Sequence, residues 1–135
     1  MVAKQLSVFI ENRKGRLGEI LDVLKGKNVN IISLCIADTA DYGLLRIIAD
    51  KPQEGKDALK EAGFSCMLTD VFILQIPHTP GALQNILRVI ADEEMEVEYT
   101  YGLSVASEEA SIVVKTSDLE KARSVFKKHN IKTLA

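Results

Sequence analysis

The sequence predicts an α+β fold made of two similar units, each with the element order βαββαβ, and three observations carry that prediction. A segment is written twice: Asn12-Arg13-Lys14-Gly15-Arg16-Leu17 recurs as His78-Thr79-Pro80-Gly81-Ala82-Leu83, an offset of 66 in a chain of 135 residues. The same offset carries Leu17, Ile20, Leu21 and Leu24 onto Leu83, Ile86, Leu87 and Ile90, one helical face used twice. Each half then runs through strand-period and helix-period segments in the same order.

In the first half, Lys4 to Ile10 alternates, with Leu6, Val8 and Ile10 on one side and Ser7 and Phe9 on the other, which is the period of a strand. Residues 11–16 form a loop, and a helix follows from about Leu17 to Lys27, with Gly26 and Asn28 as stop signals. Val29 to Ala37 is rich in β-branched residues and reads as a second strand. Ile32, Leu34 and Ile36 make its large apolar side, suited to lie under helices, against the small side of Ser33, Cys35 and Ala37. Asp38 to Gly43 is turn chemistry and Leu44 to Ala49 returns as a third strand. Pro52 sits near the start of a second helix that Gly63 ends, and Phe64 to Thr69 is a fourth strand.

The second half repeats this order. Val71 to Ile76 is a strand, and Thr79 with Pro80 forms an N-cap and first-turn pair for a helix to about Glu94. Strands follow over 97–105 and 110–116, Asp118 caps a helix to His129, and Ile131 to Leu134 closes the unit. This order gives a ferredoxin-like sheet with both helices on one face. Right-handed crossovers place the first strand centrally and the second at an edge. The expected domains are residues 1–69 and 70–135. A unit of roughly 60 residues buries only about 60% of its unfolded surface, so mutual packing or oligomerisation is expected.

Composition narrows the function classes. The chain is 47% hydrophobic and 27% charged with a net charge of −2. Residues 1–69 hold 10 Lys/Arg against 9 Asp/Glu, and residues 70–135 hold 7 against 10, so neither half has the basic excess of a nucleic-acid binder. The acidic cluster Asp92, Glu93, Glu94, Glu96 and Glu98 reads as a solvated helix end and loop. No apolar run is long enough to span a membrane, and the N-terminus lacks a signal-peptide core, so a cytoplasmic location is the expectation. Cys35 and Cys66 stand in apolar runs with no metal-ligand spacing and read as free, buried thiols.

The chemistry is expected at the repeated loops. A glycine where a strand meets a helix lets backbone approach a ligand, and a helix N-terminus offers unpaired N–H groups to an anion. The Asn12 side chain supplies an acceptor oxygen for an ammonium. Donors for a carboxylate beside an acceptor for an ammonium suit a free α-amino acid, although the same glycine is also explained by turn geometry alone. Arg13 and Arg16 read first as solvated loop arginines and second as contacts for a ligand carboxylate.

In these loops and their repeat, the doubled unit resembles an ACT domain, a regulatory amino-acid-binding module of biosynthetic enzymes. The family's first strand-to-helix loop reads Asp or Asn, two residues, Gly, one residue, Leu. Asn12, Gly15 and Leu17 match it in the first copy, and Pro80, Gly81 and Leu83 match in the second. The run from Ala37 to Arg46 is also similar to that of stand-alone tandem members. Two departures stand out: Lys14 where the family often has Pro, and His78 where it often has Asp or Asn.

The resemblance implies units set side by side through their second strands, giving a continuous eight-stranded antiparallel sheet with helices on one face. A ligand would then sit at each seam. It would lie between loop 12–17 and residues around Val97 and Tyr99, and between loop 78–83 (His78, Gly81, Ala82, Leu83) and residues around Asn30, Ile31 and Ser33. The implied protein is a non-catalytic amino-acid sensor without a cofactor, a homodimer, acting on a biosynthetic enzyme or regulator. The alternative is a structural or protein-interaction module with vestigial pockets. Enzymatic readings find no nucleophile with a positioned base and no phosphate-loop or metal motif. RNA recognition would need aromatics on the third strands, which read Leu44-Leu45-Arg46-Ile47-Ile48 and Ala110-Ser111-Ile112-Val113-Val114.

Overall fold

Strand alternation, followed by a glycine and a helical apolar stripe, builds the first unit in the computed structural model, which describes residues 2–11, 13–38, 42–105 and 108–134. The described residues form two compact units, one of Lys4–Thr69 and one that begins at Asp70 and includes Val2 and Ala3. In the first unit the elements are β1 (Ala3–Glu11), α1 (Arg16–Gly26), β2 (Ile31–Asp38), β3 (Tyr42–Ala49), α2 (Pro52–Glu61) and the start of β4 (Cys66–Pro77). The strand order is β2-β3-β1-β4, with β1 central and β2 outermost. β1 and β3 pair antiparallel with Val8 opposite Leu45, and β3 pairs with β2 with Ile47 opposite Leu34. Leu6, Val8 and Ile10 of β1 meet Ile20 and Leu24 of α1, Leu45 and Ile47 of β3 and Leu59 of α2 in one buried cluster. Burying each of these aliphatic side chains contributes about 1.5–3 kcal/mol.

The second unit runs from the rest of β4 through α3 (Ala82–Asp92), β5 (Val97–Val105), β6 (Glu109–Thr116), α4 (Leu119–Lys128) and β7 (Lys132–Thr133). β4 is flanked by β6 and β7, and β5 lies beyond β6, all antiparallel. Its core joins Phe72, Leu74 and Ile76 of β4 to Ile90, Ile112, Val114, Ala122 and Phe126. The rings of Phe72 and Phe126 meet edge to face, with centroids 5.1 Å apart. Pro52 occupies the first turn of α2, and Asp118 caps α4 by accepting the Lys121 N–H at 3.0 Å, both as expected.

One device ends all four helices of the described residues. Asn28, Gly63, Glu94 and Asn130 each follow a helix with positive φ (57°, 92°, 59° and 55°). The next residue in each case donates its N–H back across the last turn: Val29 to Leu24, Phe64 to Leu59, Met95 to Ile90, and Ile131 to Phe126. This is the Schellman arrangement, and the donating residue is apolar every time. Val29 and Phe64 join the first core, while Met95 and Ile131 pack against the second.

Four expectations need correction. The strands number seven among the described residues, not eight: the expected fourth strand and the expected strand 71–76 are one uninterrupted strand, because nothing at Thr69-Asp70 breaks the extended backbone. Thr79 and Pro80 do not open α3. Its N-cap is Gly81, and Thr79 instead accepts the Ala82 N–H at 3.2 Å through its carbonyl. Ile32, Leu34 and Ile36 are not under helices but 50%, 41% and 45% exposed, since the buried cluster is centred on β1 and β3 and β2 is an edge. Cys35, on that same strand, is half-buried, whereas Cys66 is buried as expected.

Candidate functional site

The two loops fold alike because the same local sequence faces the same problem: a strand must turn abruptly into a helix. Gly15 and Gly81 solve it at φ 84° and 86°, each as the N-cap of its helix and each without a side-chain cap. A Cβ at either position would meet nothing within 4 Å, so the glycines are required by backbone conformation and the space beside them is open. The hydrogen bonds repeat as well. Arg16 N–H donates to the Arg13 carbonyl and Glu19 N–H to Gly15, matched by Ala82 to Thr79 and Asn85 to Gly81. The intervening amides at the head of each helix lack a side-chain cap and carry its partial positive charge.

At the first loop this produces a cleft of about 180 Å³ lined by Ile10, Glu11, Arg13, Gly15, Leu17, Ile36 and Gly43. Of the expected residues, Arg13, Gly15 and Leu17 therefore come together here, while Asn12 lies outside the described residues. Arg13 is more than half exposed, 3.8 Å from Glu11 and 3.9 Å from Glu19, so both ion pairs are weakly held. Arg16 turns away from the cleft. Its guanidinium stacks 4.2 Å above the Phe64 ring and donates to Glu19 at 2.6 Å. Ile10, Glu11, Ile36 and Gly43 line the cleft without having been expected there. For Ile36 the signal was present, since an outer strand does not bury its apolar side. Gly43 is explained by packing, as a Cβ there would stand 3.1 Å from Ile10 Cγ2.

Asn30 and Ile31 lie at the other end of α1, along a separate cleft of about 320 Å³ with Leu21 and Lys25. The Asn30 N–H is committed to Asp50 Oδ1 at 2.8 Å and its carbonyl to the Asp50 N–H at 3.1 Å. Ser33 stands half-buried on β2. In the second unit, His78 is exposed with its N–H donated to the Glu108 carbonyl, Ala82 is buried and Leu83 is 40% exposed. Val97 packs against the second core. Tyr99 and Tyr101 share a face of β5, with nearly parallel rings and centroids 6.4 Å apart.

The second histidine, His129, is the C-cap of α4, and its Nε2 lies 2.9 Å from Glu93 Oε1. Hydrogen bonds from His129 and then Lys128 hold the Glu93 carboxyl well below its usual range, at about 2. Burial pushes the Cys66 thiol up, against the opposing pull of Lys60 and Lys56. Among the described residues no His, Cys, Asp and Glu side chains are grouped to hold a metal, and no helix is long and apolar enough to cross a membrane.

Comparison with known proteins places this geometry. Functionally curated proteins give no match. Among solved structures, protein BT0572 from Bacteroides thetaiotaomicron is 40% identical with a TM-score of 0.94, the match covering 100% of this chain and 93% of that one. The regulatory subunit of aspartate kinase from Thermus thermophilus, in a ligand-free form, is similar in fold at 14% identity and a TM-score of 0.70, over 96% of this chain and 92% of that one. The corresponding subunit from Thermus flavus gives 16% and 0.63, over 93% and 92%. The family model described as an ACT domain pair matches residues 1–135, and the chain belongs to that family of regulatory modules.

Proposed function

We propose that the protein is a non-catalytic sensor that binds a free amino acid at its glycine loops and passes the binding event to a partner enzyme or regulator. The observation that carries this reading is the duplicated loop itself: two left-handed glycines, each heading an uncapped helix with open space beside it. Uncapped amides at a helix N-terminus favour a carboxylate, and the first loop adds a cleft sized for a small ligand. The site residues are Asn12, Arg13, Gly15 and Leu17 in the first copy and His78, Gly81, Ala82 and Leu83 in the second. The proposed contact set extends to Asn30, Ile31 and Ser33 at the start of β2 and to Val97 and Tyr99 on β5. Arg16 is withdrawn from the contact set by its stacking on Phe64. The two free thiols fit a cytoplasmic setting.

The test is thermal unfolding of the full chain against each of the twenty amino acids at millimolar concentration. A ligand at 100 times its dissociation constant stabilises the native state by about 2.7 kcal/mol. One amino acid should raise the melting temperature, and Gly15→Val, still folded by circular dichroism, should lose that response. A flat result across all twenty defeats the sensor reading. The second reading, a protein-interaction module, draws on the exposed stripe Ile32, Leu34 and Ile36, because an edge strand with an apolar side invites pairing. A homodimer joined through this edge would disperse to monomer when Leu34 is replaced by Lys, read by sedimentation.

A further inference from the structure

The first unit has a second cleft, which meets the glycine-loop cleft at Ile10 and Glu11 but is otherwise lined by different residues, and its use goes beyond the function proposed above. Its volume is about 390 Å³, within the range of small-molecule sites. Phe9, Tyr42 and Phe64 supply its rings, and Arg16 and Glu11 its charges. Phe64 is the buried floor. Phe9 and Tyr42 stand 49% exposed, their ring centroids 6.1 Å apart and inclined at 52°, as an open-sided wall. Two large rings half exposed beside one another leave apolar area in water that a flat apolar group would cover.

The charges are unequal in what they offer. Glu11 is exposed and leans on Arg13 at 3.8 Å. Arg16 is drawn in over the Phe64 ring, where a cation gains from the ring's negative face. Glu19 takes only its Nη1, and its Nε is buried with no acceptor among the described residues. A guanidinium in that condition lacks one hydrogen bond, and a carboxylate reached by a small rotamer shift would supply it. The position also runs against the helix field: a cation as first residue of α1 opposes the dipole, which an anion bound there would relieve.

The internal repeat serves as a control. The second unit has a cleft of nearly the same volume, about 380 Å³, at the corresponding place. There Phe9, Tyr42 and Arg16 are replaced by Gln75, Glu108 and Ala82, and the lining has no phenyl or phenol ring. The fold thus makes the cavity in both copies, and although Lys132 gives the second a cation of its own, the aromatic wall belongs to the first alone.

We propose that this cleft is a binding site for an aromatic carboxylic acid, the ring laid over the exposed sides of Phe9 and Tyr42 and the carboxylate on Arg16. Phenylacetate is the probe, followed by amide chemical shifts of the full chain, with phenethylamine as the cationic control. The expected result is saturable shifts at residues 9–11, 16, 42 and 63–65. Arg16→Gln and Phe9→Ser should each weaken affinity at least fivefold, and Glu19→Gln should tighten it by releasing Arg16. The last variant gains rather than loses binding, so a damaged fold cannot imitate it. Equal binding of phenethylamine, an Arg16→Gln protein that binds as well as the parent, or shifts confined to the second unit would overturn the assignment.

Discussion

Replacing Gly15 by Ala isolates the backbone conformation on which the candidate site depends. At φ 84° an L residue is in the left-handed region, which costs about 1–2 kcal/mol. Alanine also restricts the unfolded chain, returning about 0.4–1 kcal/mol. Nothing lies within 4 Å of the added Cβ, so no packing penalty joins these two. The net loss should be about 1 kcal/mol, a fall in melting temperature of about 3–5 °C at this chain length. Gly81→Ala, at φ 86° in equally open space, should cost the same, and the double variant the sum to within about 0.5 kcal/mol. Gly18→Ala is the opposite case. It lies inside α1 with no positive φ and no close neighbour, so the identical chemical change should stabilise by about 0.5–1 kcal/mol. Equilibrium urea unfolding followed at 222 nm reads all four proteins. A neutral or stabilising Gly15→Ala would refute the left-handed assignment, and a loss above about 3 kcal/mol would refute the open space.

Cys35 should react with a thiol reagent in the native protein while Cys66 waits for unfolding, because burial both shields Cys66 and disfavours its thiolate; equal rates would contradict this. Glu93 should titrate near 2, so its contribution to stability is complete above its ordinary value of 4.5 and disappears as pH falls through 2. Carboxyl carbon shifts would report this, and His129→Ala should move the midpoint upward. Asp118→Ala should cost about 1 kcal/mol by freeing the Lys121 N–H, read by urea unfolding. Glu94→Gly should instead gain a few tenths to 1 kcal/mol, because Glu94 is the bulkiest of the four helix-ending left-handed residues.

Much of this architecture was legible because the repeat doubled every signal. A single Gly-x-Leu says little, but Gly15 and Gly81 at one offset, each before the same apolar stripe, revealed both helices. Asp118 and Pro52 were readable for the same local reason, that caps and first turns depend on one or two residues. What escaped was set by neighbours distant in sequence. Thr79 and Pro80 satisfy every local rule for a helix start, yet the turn at Gly81 takes the N-cap. The break between the fourth and fifth expected strands failed because a polar pair in extended backbone looks like a linker. Arg16 could not be placed from its loop, since what draws it away is Phe64, 48 residues on. The exposed side of β2 follows from its edge position, which the crossover rule foretold but the apolar alternation concealed.

The shared ending of the four helices fixes a measure along the chain. In every case the acceptor is the helix's last core residue (Leu24, Leu59, Ile90 or Phe126), and the donor is the apolar residue five positions later. One inserted residue inside that interval would turn the donor by about 100° and take its side chain out of the core. Growth and shrinkage of this protein over evolutionary time are thus forbidden at four places, which lie two in each unit. Length variation must be absorbed elsewhere, and the glycine loops that greet each helix at its opposite end are where a ligand's demands can reshape the chain without disturbing how it is anchored.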